Sequence, residues 1–156
     1  MCLRSLLNLF ATIEGRRFVL LESSFLASVT ESACAGVSSH SKSAGAAGAA
    51  LLLNLCTLLT TDTALAAESG GAERIEDSTT SCVTALVSQL SHNEAELRDA
   101  DAAHTLLTAL LRLVSQSQLA LSLTISLEFS AEPYTHSALQ KTKAIATQLK
   151  QKLGAQ

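Results

Sequence analysis

Aromatic side chains are scarce: the chain has no Trp, one Tyr and four Phe, 3% of its 156 residues. Strands draw on aromatic and β-branched residues. Their scarcity, beside an apolar fraction of 47% that is mostly Leu and Ala, points away from a sheet and toward helices. Basic charge is also in short supply. Eleven Lys and Arg against fourteen Asp and Glu leave a net charge of −3, which gives no broad electrostatic footprint for nucleic acid. The four cysteines, Cys2, Cys34, Cys56 and Cys82, form no Cys-x-x-Cys pair and no Cys/His cluster of zinc-ligand spacing. Buried free thiols in a reducing compartment are expected rather than a disulfide framework, with no metal and no cofactor. That places the protein in the cytoplasm, with the nucleus open to it as well.

Catalytic signatures are missing too. His40, His92, His104 and His136 are scattered, and no two stand at a ligand spacing such as i, i+4. There is no Gly-x-Ser-x-Gly elbow, and GAAGAA at 45–50 lacks the Lys-Ser/Thr of a phosphate loop. Cys34 and His40 stand across the expected end of a helix, so a thiol nucleophile with its base would be an accident of spacing. A secretory signal is argued against by Arg4 and Asn8, which interrupt the N-terminal apolar run. The uncharged run at 43–61 reaches membrane-spanning length, but its first half is Ala, Gly and Ser, so no membrane is expected as a partner.

What is present is a succession of helical stripes. The run SAGAAGAALLLNLCTLLTT at 43–61 is apolar on nearly every side and must be covered on nearly every side, which marks it as a central buried helix. Ser41 or Ser43 is its expected N-cap. Gly45 and Gly48 predict the close approach of another helix. Ahead of it, Leu3, Leu6, Leu7 and Phe10 make one stripe. Phe18, Leu21, Phe25 and Val29 make a second, core-facing one that Ser23 and Ser24 can divide. The chain opens abruptly on a helix, which points to a piece of something longer.

After Gly70-Gly71 the pattern resumes with Ile75, Val83, Leu86, Val87 and Leu90. Asn93 and Glu96 have the form of a capping box. Ala103, Leu106, Leu107, Leu110 and Val114 predict a second nearly all-round apolar helix, and Leu119, Leu123 and Leu127 a shorter one. Pro133, the only proline, stops the pattern or opens the next helix at its first turn. Leu139, Ile145, Ala146, Leu149 and Leu153 then give a capping helix with a lysine-rich wet side.

The sum is roughly seven to nine helices and no strand. Alternation of amphipathic with all-apolar helices fits stacked layers better than an up-down bundle. The expected fold class is therefore an all-α α-solenoid, which the resemblance below makes armadillo-like, with inner helices buried between repeats. Asn8 and Asn54 stand inside Leu-rich helices. Each amide must either be satisfied within the core or line a groove and clamp an extended peptide. Arg4, one turn before Asn8, adds positive charge favouring an acidic or C-terminal segment. Arg16 and Arg17 either extend that groove or sit in a solvated turn.

Three motifs carry a family resemblance: LRSLLNLF at 3–10, followed by Gly15 and a Phe/Leu-rich turn, AALLLN at 49–54, and LLTAL at 106–110. In order and spacing, over about residues 2–125, the chain resembles the PUL domain. That domain is the armadillo-type C-terminal domain of phospholipase A-2-activating protein and its ubiquitin-pathway relatives, and the chain resembles about its second half. The resemblance implies one domain over 1–156, partial, with 131–156 as a capping helix. It also implies a non-enzymatic module that binds the C-terminal tail of the AAA ATPase called valosin-containing protein, in ubiquitin-dependent protein turnover. Arg4, Asn8 and Asn54 match family positions on the concave side. Where the family often carries Arg before its third Leu-Leu this chain has Thr105, and Leu111 replaces a Gly, which leaves Arg112 as the candidate replacement cation. Two readings compete: a structural helical segment packing against another domain of a longer parent protein, and an enzyme using Cys34.

Overall fold

The computed structural model describes residues 3–39, 41–61, 71–92 and 100–154. Among them are eight α-helices, one 3-10 turn and no strand. In chain order these are α1 (Leu3–Leu9), α2 (Ile13–Leu21), α3 (Ser23–Val37), α4 (Lys42–Thr61), α5 (Ala72–His92), α6 (Ala100–Gln116), α7 (Gln118–Ser126), the 3-10 turn Glu132–His136, and α8 (Gln140–Gly154). The caps follow local chemistry. Thr12 Oγ1 accepts from Gly15 N at 3.0 Å to start α2, and Ser117 Oγ accepts from Ala120 N at 3.2 Å to start α7. For α4 the cap is Ser41, whose carbonyl and hydroxyl accept from Gly45 N and Ala44 N.

The helices form two rows. One row runs α4, α6, α8, with α1 against α4; the other runs α3, α5, α7, and the rows pack on each other chiefly through α3 on α4 and α5 on α6. This is the armadillo-like stack expected of the sequence. Its core is aliphatic: Leu51, Leu52 and Leu55 of α4 meet Leu107, Leu110 and Leu113 of α6, all fully buried. Length and composition would let α4 cross a membrane, but here it lies in the middle of the stack. Gly48 makes that crossing possible, because a Cβ there would lie 2.4 Å from Val37 N and 2.5 Å from Gly36 C. Gly45 meets nothing closer than 3.8 Å, so only one of the two glycines marks a close approach. The sole Tyr, Tyr134, closes the far end, buried and donating its hydroxyl to Leu90 O.

Two expected stripes are corrected. Phe18 and Leu21 are 49% and 43% exposed, and Phe25 is only half-buried, while Val19, Leu20, Leu26 and Val29 form the core face. The cause is the break at Glu22, which turns the chain sharply between α2 and α3, so that i, i+3, i+7 spacing read across it no longer describes one face. The second correction is α6. It is not apolar all round: Asp101 and Arg112 are exposed, and Thr105, Thr108 and Leu111 are half-buried. The capping box at Asn93 and Glu96 falls outside the described residues.

Candidate functional site

A groove crosses the row of α4, α6 and α8 as three adjacent chambers. The first, of about 340 Å³, lies between the start of α2 and α4 and is lined by Phe10, Arg16, Asn54, Thr57, Leu58 and Thr61. The second, about 440 Å³, lies between α4 and α6, with Thr60, Thr108 and Arg112 on its walls, and shares Thr61 with the first. The third, about 400 Å³, lies between α6 and α8, holds Gln148, Gln151 and Lys152, and shares Leu111 and Ser115 with the second. Among the described residues, each chamber is lined by one cation and none by a carboxylate.

The helix backbones supply the order in this groove. Thr57 Oγ1 donates to Leu53 O at 2.8 Å, and the same oxygen accepts from Arg112 Nη1 at 3.1 Å. A threonine whose proton is spent on its own helix is left as an acceptor, and here it draws the guanidinium from α6 across to α4. Arg16 is placed similarly, with Nη1 donating to Phe10 O at 3.3 Å. Each guanidinium carries five N–H donors, so most remain for a ligand. On α8, Lys150 pairs with Glu132 and Lys141 with Asp101, the latter at 2.7 Å. Lys152 has no such carboxylate among the described residues and stays available to the groove.

Of the residues singled out by sequence, Asn54 and Arg112 lie in this groove, in adjacent chambers. Asn54 is half-buried, and its amide has no hydrogen-bond partner among the described residues, so it faces the chamber rather than serving the core. Arg4 and Asn8 are both exposed on α1 and line none of the three chambers; Phe10, from the turn after α1, does. Lys152 was missed by sequence reasoning, since a lysine among four on the wet side of a terminal helix gives no signal of its own. Arg16 was legible only as one of two alternatives.

The opposite row has a different cavity, about 550 Å³, between α3 and α5. Among the described residues, small side chains such as Ala27, Ser81 and Ala85 line it, together with Glu31 and Asp77 and no cation. Cys34 opens onto it. Burial pushes the Cys34 thiol up to about 12, with the neighbouring Cys82 adding to the effect, so at neutral pH it is a protonated, weakly nucleophilic group. Cys82 is also raised well above the usual thiol value, first by its hydrogen bond to Cys56 and then by burial. Cys34, Cys56 and Cys82 are free thiols. His40, the imagined base, lies outside the described residues. Among the described residues no three His, Cys, Asp or Glu side chains gather to hold a metal ion.

Neither a curated protein nor a solved structure matches this chain. The family model of the PUL domain matches residues 1–152, nearly the whole length. The helical stack and that match agree: the chain belongs to the PUL domain family, whose members are protein-interaction modules.

Proposed function

We propose that this domain binds an extended, acidic C-terminal tail, that of a valosin-containing-protein type AAA ATPase, and so serves ubiquitin-dependent protein turnover where that ATPase works, in cytoplasm and nucleus. The observation that carries the reading is the run of Arg16, Arg112 and Lys152 along a groove that no carboxylate lines among the described residues. An acidic peptide would meet cations that line adjacent pockets, and charge-assisted hydrogen bonds are the stronger kind. Asn54 adds a neutral amide able to donate to and accept from a peptide backbone. Arg4 and Asn8, one turn apart on the exposed side of α1, offer a second contact for a tail that leaves the groove past Phe10.

Fluorescence anisotropy with the labelled tail peptide tests this. Arg112→Glu should lower affinity by roughly tenfold or more, because it removes a bond and adds like-charge repulsion, and affinity should fall with rising salt. Unchanged binding would remove the groove as the site, and no binding by the unaltered protein would remove the partner. One observation favours a second reading, a structural segment packed on another domain. Ile13, Phe18 and Leu21 of α2 are exposed, and Phe18 stacks edge-on against Phe25 at 5.1 Å.

A further inference from the structure

Where α4 faces α6 the groove is rich in threonine. Asn54, Thr57, Leu58 and Thr61 stand at i, i+3, i+4 and i+7 on α4, and Thr108, Leu111, Arg112 and Ser115 repeat that spacing on α6, so each set forms one helix face. Four hydroxyls donate back to their own helices: Thr57 to Leu53 O at 2.8 Å, Thr60 to Cys56 O at 2.9 Å, Thr61 to Thr57 O at 2.9 Å and Thr108 to His104 O at 2.7 Å. A hydroxyl has one proton to give, so these oxygens are left as acceptors. They offer nothing to a carboxylate and suit a donor. Among the described residues, Thr57 Oγ1 is the one of the four that also meets a donor from another helix, Arg112 Nη1 at 3.1 Å.

We infer that Thr57 is a positioning residue for the acidic ligand: it gives the anion no bond of its own and instead fixes the Arg112 guanidinium against the α4 wall. This rests on the proposed groove reading and adds to it the residue that decides where the Arg112 charge is held. Arg112 lines the second chamber and Thr57 the first, beside Arg16 and Asn54, so the tether draws a side chain of one chamber to the wall of the next. Arg112 is exposed, and a ligand that recruits a free arginine must first immobilise it, at a cost in side-chain entropy. The bond to Thr57 imposes that order before the ligand arrives. It occupies one of five N–H donors, and because the guanidinium is planar and rigid, fixing one donor aims the others. A lysine there would carry the same charge without the fork.

The test uses the whole chain and a fluorescein-labelled peptide with three adjacent glutamates in a Gly/Ser/Asn background, read by anisotropy. Thr57→Val keeps the branched shape and removes the acceptor. It should weaken binding about three- to tenfold, the order lost when a ligand must itself immobilise a long side chain. Thr57→Ser restores the acceptor and should recover affinity to within about twofold. Arg112→Lys should lose about as much as Thr57→Val, and the two changes together no more than either alone. A threonine that merely supported α4 would give additive losses, and that outcome would overturn the positioning role. So would full affinity in either Thr57→Val or Arg112→Lys, and each of these results leaves the acidic-tail reading standing. Failure of the unaltered protein to bind the peptide would overturn both.

Discussion

The two faces of this stack make opposite use of the same scaffold. Among the described residues, the groove across α4, α6 and α8 is lined by Arg16, Arg112 and Lys152 and no carboxylate, and the cavity between α3 and α5 by Glu31 and Asp77 and no cation. The chain as a whole carries only −3, so net charge hides a difference of sign between the linings of the groove and of the opposite cavity. A weakly acidic protein can still hold an acidic partner when its cations gather on one face, because screening over roughly 8–10 Å removes the opposing field of the other. Net charge excludes a broad basic footprint, and says little about a groove this narrow.

The largest effect on that comparison should come from the crossing that both faces share. Gly48→Ala drives a Cβ into the backbone of Gly36 and Val37, which cannot rotate away. It should cost about 1–3 kcal/mol of stability by urea denaturation and weaken tail binding with it, since α3 walls one cavity and α4 the other. Next comes charge exchange. Glu31→Lys with Asp77→Lys, on the far row, should leave tail affinity within about twofold. Arg4→Glu should have an intermediate effect, smaller than that of Arg112→Glu; equal losses from all of these would show that net charge, not the groove, governs binding.

The smallest expected effect is one of pH. His104 is held below its ordinary value of 6.5, first by burial and then by Lys141, with Asp101 opposing, and its Nδ1 is buried without a partner. The unfolded chain therefore binds a proton that the folded chain refuses. Stability is full above the unfolded value of about 6.5 and falls as pH drops from there toward the folded value. Thermal unfolding midpoints between pH 7.5 and pH 5.5 should show this decline, and His104→Gln should flatten it. Asp101 and Glu132 are held below the usual carboxylate range by Lys141 and Lys150. Their contribution is present above that range and lost only in stronger acid, and both groups are exposed, so it is small.

Helices with an unbroken stripe were readable from residues alone. Val83, Leu86, Val87 and Leu90 on α5, and Leu106, Leu107 and Leu110 on α6, are buried as their spacing requires. The stripe through Phe18, Leu21 and Phe25 failed because periodicity has no sight of a bend, and Glu22 bends the chain there. Asn54 stood out because a carboxamide is conspicuous in a Leu-rich run, yet its direction was undetermined: the same pattern suits a satisfied core amide and an open groove. Arg112 was noticed as a substitute for a family cation, and its tether to Thr57 was beyond reach, because the two residues meet only when α6 packs on α4.

By itself, then, the sequence determined an all-helical stack, a serine cap on α4 at Ser41 or Ser43 and an aliphatic core, since these depend on propensity, local hydrogen bonds and periodicity along one element. The tertiary structure alone decided that Arg16 and Lys152, from opposite ends of the chain, share a groove with Arg112. A groove forms between elements, and which polar faces converge on it depends on how whole helices are stacked and turned, a property no local pattern encodes.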